Sequence, residues 1–215
     1  MISFTLMCAN GVPSFKMRDR IDTRFFERTD TADIARELLG KLLVVPDDQG
    51  RRVAGRIVEC EAYLGLNDRA AHSFGGRRTA RTEVMYAEAG HVYVFFVYGM
   101  HYQLNFVCGP RDHPHAILIR AIEPVEGVEI IRERRGKMAD RNLTSGPGKL
   151  CNALSIDKSY NGGHIEGERI WLEAGPNLPP GEVSRGPRVG VDYAGDDAHL
   201  PLRFWVAASP YISKR

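Results

Sequence analysis

The chain has 215 residues and 43% apolar composition, enough for one domain with a substantial core. Its net charge of +2 and pI near 8.4 are too mild to announce nucleic-acid binding by bulk charge. Cys8, Cys60, Cys108 and Cys151 lie far apart with no CxxC pair, which disfavours zinc and predicts buried free thiols in a reducing compartment.

Met1 to Cys8 is apolar but lacks a basic n-region and is far too short to span a membrane. A cytoplasmic protein without signal peptide or transmembrane segment is expected. Residues 1–21 carry little pattern and read as a flexible tail, and 22–215 as a single domain. Asp30 or Thr31 can cap a helix running to Leu39, with Ile34, Leu38 and Leu39 inward and Gly40 as its stop. Lys41 to Val45 reads as a strand, Pro46 to Gly50 as a turn, and the following strand ends at Tyr63. A short helix is predicted over 79–87. His91 to Tyr98 and His101 to Cys108 form a predicted hairpin around Gly99-Met100, followed by a strand over 116–122. Pro124 opens a predicted helix to about Lys137, and Ser145-Gly-Pro147 another through Leu154, with Pro near its first turn. Strands over 169–173, 188–191 and 202–206 complete the chain. Strands come in runs rather than in strict βα alternation, which favours an α+β domain on a mostly antiparallel sheet.

Chemistry concentrates on the strand ending at Tyr63. Glu59, Glu61 and Tyr63 alternate with Val58, Cys60 and Ala62, so period two puts the polar residues on one face. The loop after it carries Arg69, Arg77, Arg78 and Arg81 with no acid between them. A carboxylate beside a cationic loop suits a site that holds an anion and activates a water, although a half-exposed edge strand has the same pattern. The arginines, and the run Arg132, Arg134, Arg135 and Lys137, read either as solvated faces or as a phosphate-tracking footprint. Aromatic residues at the hairpin tip, Tyr98 and Tyr102 around Met100, fit a satellite core, a dimer contact, or a wedge that unstacks a base step. Arg120 sits inside an apolar strand and needs an anionic partner if buried, for which Glu61 or Glu59 is the natural candidate. His72 has no local metal partner and reads equally as a surface residue. No P-loop, dinucleotide fingerprint or GxSxG elbow is present.

Together, Val58 to Gly65, Ala70 to Arg77, Tyr93 to Met100, Leu118 to Pro124 and Ser145 to Leu150 closely resemble motifs of the alkyladenine (3-methyladenine) DNA glycosylase family, also called methylpurine-DNA glycosylases. Arg188-Val-Gly-Val191 and Pro201-Leu-Arg-Phe204 extend the resemblance, which covers roughly residues 22 to 215 in order. It implies a curved sheet with surrounding helices and a protruding hairpin. The implied activity is monofunctional: a damaged purine is flipped from duplex DNA and its N-glycosidic bond hydrolysed. Carried over by position, Glu61 is the general base for the attacking water and Arg120 helps to hold that water. Tyr63 stacks on the base, His72 hydrogen bonds to it, and Asn105 crowds the exocyclic amine of normal guanine. Tyr98 fills the gap left by the flipped nucleotide, while Arg77, Thr79, Arg81 and Met85 lie near the DNA backbone or the wedge. Phe95 stands where the family has a second stacking tyrosine, and Ala80 where it has a proline.

For Phe95 and Asn105 to reach one pocket, the hairpin needs an odd loop. A loop of residues 99–101, pairing Tyr98 with Tyr102 and Phe95 with Asn105, meets that need. No cofactor or metal is called for, the partner is double-stranded DNA containing damaged purines, and a monomer is the default. The rival reading is a catalytically silent binder of damaged or distorted DNA; an acid near phosphates gives such a binder nothing.

Overall fold

The computed structural model describes residues 19–214. In chain order its strands are β1 (Leu42–Val44), β2 (Ala54–Tyr63), β3 (Val92–Val97), β4 (His101–Cys108), β5 (His115–Glu126), β6 (Trp171–Glu173), β7 (Val183–Gly186) and β8 (Arg203–Val206). They form one curved antiparallel sheet of order β3-β4-β5-β2-β1-β6, with β8 pairing both β2 and β7. Helices α1 (Thr31–Leu38), α2 (Val128–Arg135) and α3 (Pro147–Leu154) complete an α+β domain. Among the described residues no helix is long and apolar enough to cross a membrane.

Strand β2 is the spine of the sheet. On one side β5 pairs with it from Ala54 to Tyr63. On the other, β1 takes residues 54–56 and β8 takes residues 59–61. The edge-strand reading of this segment is therefore overturned: β2 is central, and Glu59 and Glu61 are fully buried. Its alternation separates two environments. Cys60 and Ala62 face the main core with Ile117, Ile119, Leu104 and Phe106, under Ile34 and Leu38 of α1 and Leu150 and Leu154 of α3. Each fully buried Leu, Ile or Phe among them contributes about 1.5–3 kcal/mol relative to exposure. The opposite face carries Glu59, Glu61 and Tyr63, with Leu118 opposite Glu61 and Ala116 opposite Tyr63.

Register slips between Ile57 and Glu59 and between Glu59 and Cys60 place one extra residue first on β2 and then on β5. The extra residue on β5 is Arg120, which the bulge brings onto the acids. Strand β5 also runs past 122 to Glu126, because Pro124 lies opposite Gly55 where the ladder slips again and no N–H is required.

Helix α1 begins after Asp30 and ends at Leu38, with Gly40 in the left-handed region at φ +88°. A Cβ at Gly40 would lie 2.7 Å from the Pro176 carbonyl oxygen, so the stop is sterically required as well as conformationally apt. Helix α3 carries Pro147 at its first position, as its sequence predicts. The helix expected over 79–87 is reduced to a 3-10 turn, Glu83–Tyr86. The expected strand over 188–191 is a loop, because the Val189 N–H is spent on a carboxylate rather than on a neighbouring strand. Of the stretch read as a tail, residues 1–18 lie outside the described residues; Arg20 bridges Glu173, and the Ile21 N–H donates to the Leu172 carbonyl at 2.9 Å.

The hairpin loop is odd, as expected, but displaced by one residue. Val97 pairs with His101, so the loop is Tyr98 to Met100 and Tyr98 has no ladder partner. Phe95 meets Gln103, and Asn105 meets Tyr93. The turn uses positive φ at both Tyr98 (+54°) and Gly99 (+67°). Because the displacement along β4 is even, Phe95 and Asn105 still share a face.

Candidate active site

The polar face of the sheet, the hairpin and two loops enclose a cavity of about 240 Å³. Tyr63 comes from β2, Leu118 and Arg120 from β5, Tyr93, Phe95 and Asn105 from the hairpin, His72 from the loop after β2, and Val189 and Tyr193 from the loop after β7. The space lies just under the roughly 300–1,000 Å³ of drug-sized ligand sites and suits one flat heterocycle between aromatic walls.

Glu61 lies one layer behind that wall. Its carboxylate accepts hydrogen bonds from the Val189 N–H at 2.8 Å and the Tyr63 hydroxyl at 2.9 Å, with Arg120 Nη1 3.2 Å away. Burial raises its proton affinity; Arg120, the Val189 amide and the Tyr63 hydroxyl oppose this without cancelling it, so its pKa stays above the ordinary carboxylate value. Such a carboxylate is a stronger base than a solvated one, and Arg120 supplies its counter-charge. The pairing expected for Arg120 is thus observed with both acids, since its Nε donates to Glu59 at 3.1 Å.

The loop that delivers Val189 is held by a buried ion pair. Arg188 donates to both oxygens of Asp68, the Nη2 contact measuring 2.8 Å, and to the Ala62 carbonyl at 3.0 Å. Asp68 in turn accepts the N–H groups of Leu64 and Ala70. The Arg188 guanidinium also lies 4.8 Å from the Tyr63 ring centroid, covering one face of the ring that lines the cavity.

His72 is not a surface residue. Its Nδ1 lies 2.9 Å from the Tyr93 hydroxyl, and its ring meets Phe95 edge-on at 4.5 Å. Burial, reinforced by the charges of Arg81 and Arg77, lowers its pKa to about 4, so the imidazole is neutral at physiological pH. Tyr93 stays a phenol, its pKa pushed up to about 12 by burial. Arg81 lies 5.2 Å above the Phe95 ring. Asn105 donates to the Tyr93 carbonyl at 3.1 Å, which pins its amide against the cavity.

The residues assigned to DNA contact fall into two groups. Arg77, Thr79 and Arg81 are exposed, and among the described residues neither Arg77 nor Arg81 pairs with a carboxylate. Arg77 also shares a second surface depression with Arg69, Phe74 and Tyr193. Arg78 differs, because Glu83 and Asp112 hold it at 2.6 and 2.7 Å. Met85 does not lie on the outer surface: it is 2% exposed, packs with Tyr93 and Phe95, and lines the cavity. Its place in the 3-10 turn aims it inward, where a thioether fills the gap between rings. Tyr98 is 79% exposed at the hairpin tip, beside Met100 at 65%. In the second basic run, Arg132 pairs with Glu129 and Asp140, and Arg134 bonds the Ala153 carbonyl.

Val189, Arg188, Asp68, Tyr93 and Tyr193 were not singled out as site residues from the sequence. Arg188 and Val189 lie in a motif that carries the resemblance, but nothing local reveals that a backbone amide there reaches Glu61.

The family model for methylpurine-DNA glycosylase (MPG) matches residues 24–210. A protein of Desulfitobacterium hafniense (strain Y51), named by inference as a 3-methyladenine DNA glycosylase, is 46% identical over 204 residues, covering 90% of this chain and 98% of its own. Proteins carrying the same name from Bacillus cytotoxicus and Clostridium acetobutylicum are 44% and 43% identical, each over 88% of this chain and over 97% and 96% of their own lengths. The chain belongs to the methylpurine-DNA glycosylase family, a family of DNA-repair hydrolases.

Proposed function

We propose that this family member draws a damaged purine out of duplex DNA into the aromatic cavity and hydrolyses its N-glycosidic bond with a water activated by Glu61. The observation that carries the reading is the placement of Glu61: a fully buried carboxylate of raised proton affinity, held by Arg120 and the Val189 amide directly behind the cavity.

Flipping would begin at the hairpin. Tyr98 is the most exposed large apolar side chain among the described residues and projects from a two-stranded support. Inserted in the base stack, it would occupy the gap and offset part of the few kcal/mol that unstacking costs. Arg77 and Arg81, uncompensated by acids, would meet phosphates, with Thr79 beside them. The extruded base would lie against Tyr63, whose other face Arg188 covers, with Phe95 and neutral His72 on the remaining walls. A neutral imidazole does not repel the positive charge of an alkylated purine, and its free ring nitrogen is available for hydrogen bonding. Asn105, tied to the Tyr93 carbonyl, cannot swing aside, which would disfavour a base bearing an extra exocyclic amine.

In the chemical step the bond between the base nitrogen and C1′ breaks with its electron pair leaving on the base. Positive charge develops on the sugar, and the Glu61 carboxylate stabilises it. Water oxygen then bonds to C1′ while its proton passes to Glu61. For that the water must share or replace the hydrogen bond from Tyr63 to Glu61, where Arg120 and Val189 also converge. A cationic alkylpurine leaves neutral and needs no general acid. No lysine lines the cavity, so no Schiff base or strand cleavage is expected; a borohydride-trapped covalent complex with DNA would contradict this.

The test is single-turnover base release from duplexes carrying an alkylated purine, hypoxanthine or ethenoadenine, comparing wild type with Glu61→Gln. Release by wild type, lost in the variant while lesion binding persists, supports the reading. Tight binding without release by wild type establishes a silent binder instead.

A further inference from the structure

Arg120 stands between two buried carboxylates of equal charge, and Coulomb's law alone does not decide which of them it serves. Its Nη1 faces Glu61 at 3.2 Å, while its Nε donates to Glu59 at 3.1 Å. The decision lies with a segment that follows β8 and falls outside the family match, which ends at residue 210. Ser209 turns the chain, its hydroxyl accepting the Tyr211 N–H, and the chain then passes over Glu59. There Ser213 engages both its N–H and its hydroxyl. Its N–H donates to Glu59 Oε2 and its hydroxyl donates to Oε1 at 2.9 Å. The same hydroxyl oxygen accepts from Arg120 Nη2 at 3.1 Å and from Nε at 3.3 Å. One residue further, the Lys214 carbonyl accepts from Arg203 Nη1 at 3.1 Å, and Arg203 also reaches Glu59 at 3.3 Å.

We propose that residues 211–214 are a positioning element of the active site, in which Ser213 and the Lys214 carbonyl satisfy Glu59 and Arg203 and so hold Arg120 toward Glu61. The physical reason is competition for a guanidinium. A fully buried carboxylate must be satisfied, and among the described residues Glu59 has donors on three: Arg120, Arg203 and Ser213. Two of its hydrogen bonds come from Ser213. Without them Glu59 draws Arg120 into a tighter pair, and Nη1 turns from Glu61. Ser213 also fixes the Nε–Nη2 edge of Arg120, which leaves the guanidinium plane one orientation. The segment does not line the cavity and makes no hydrogen bond to Glu61, so it acts on Glu61 through the groups it holds, Arg120 first and Arg203 beside it.

The proposal rests on Glu61 as the base, and its test reads the proton affinity of Glu61. The charged and titratable groups facing Glu61 are Arg120 from β5, Arg203 from β8, Arg188 and Tyr193 from the loop after β7, and Glu59 and Tyr63 from its own strand. Of these, Arg120 and Glu59 bond Ser213 directly. Single-turnover base release is measured against pH for wild type, Ser213→Ala, Ser213→Thr and Glu61→Gln, with DNA affinity and Tm measured alongside. Ser213→Ala is expected to slow release roughly tenfold at neutral pH, the scale of one hydrogen bond to a charged group. Its acid limb moves to higher pH because Glu61 loses part of its counter-charge. DNA affinity stays at the wild-type value, and Ser213→Thr, which retains the hydroxyl, restores rate and limb.

An unmoved acid limb overturns the proposal even if rate or Tm falls, since a purely structural role lowers the amount of active protein without changing the pKa it reports. The limb's position does not depend on how much protein is folded, so partial destabilisation leaves the reading intact. If Glu61→Gln releases base at the wild-type rate, the assignment of Glu61 fails and this proposal fails with it. If Glu61→Gln is inactive and Ser213→Ala matches wild type, only the positioning role is lost.

Discussion

Arg188→Ala tests whether the loop that carries Val189 is held by its buried ion pair. The two side chains are 0% and 1% exposed, and Arg188 donates to both oxygens of Asp68. Removing one partner of a buried pair costs about 3–5 kcal/mol, because the other charge is left uncompensated. Here the lower end applies: Asp68 keeps the Leu64 and Ala70 N–H groups at 2.9 and 3.0 Å. At ~2–4 °C per kcal/mol for a chain of this size, Tm should fall by about 6–12 °C. Base release should fall as well, because the loop is no longer tied to the end of β2 and the Val189 amide leaves Glu61. Urea unfolding and single-turnover release on the same preparation measure both effects. In an Asp68→Asn background, where no carboxylate is stranded, Arg188→Ala should cost only about 1 kcal/mol, a coupling near 2 kcal/mol. A loss below about 1 kcal/mol in the wild-type background, or one equal in both backgrounds, would refute the reasoning.

Three further outcomes are expected. Tyr98→Gly removes an exposed side chain from a left-handed position at φ +54°; stability should rise by about 0.5–1 kcal/mol while lesion binding weakens, as urea midpoint and DNA titration would show. His72 is held neutral by burial, its pKa lowered from 6.5 to about 4, so the unfolded chain binds more protons between those values. Its contribution is present above pH 6.5 and lost as pH falls toward 4; His72→Gln should flatten the stability-against-pH curve in that window. Glu61 has the opposite sign: its raised pKa means stability present at low pH and lost as pH rises through the folded value. Wild-type base release should therefore show an acid limb above the ordinary glutamate value of about 4.3, a limb absent from any residual Glu61→Gln activity.

Much of the site was legible because local rules bind it. The alternation of Glu59, Glu61 and Tyr63 with Cys60 and Ala62 placed the acids on one face, and the structure keeps them there. An arginine inside Leu118-Ile-Arg-Ala demanded an acid, and Arg120 has two. Pro147 announced the start of α3, and Gly40 the stop of α1. What failed also has reasons. The acids looked like an edge because nothing in β2 says that β1 and β8 share its far side. The hairpin register lies one residue from the expected loop because Tyr98 leaves the ladder and adopts positive φ with Gly99. The resemblance put Met85 near the DNA backbone or the wedge, and a turn of four residues gives no period from which its inward direction can be read.

By itself the sequence determined the strand faces, the main helix ends, the family motifs and the kind of chemistry two acids and an internal arginine can support. These depend on neighbours within a few residues, where side-chain period and capping act. Tertiary structure alone decided the charge arrangement: Glu59 with Arg120 across 61 residues, Asp68 with Arg188 across 120, and Ser213 with Glu59 across 154. Such pairs form because buried charges need partners and sheet closure determines which ones arrive. No periodicity along the chain encodes that meeting.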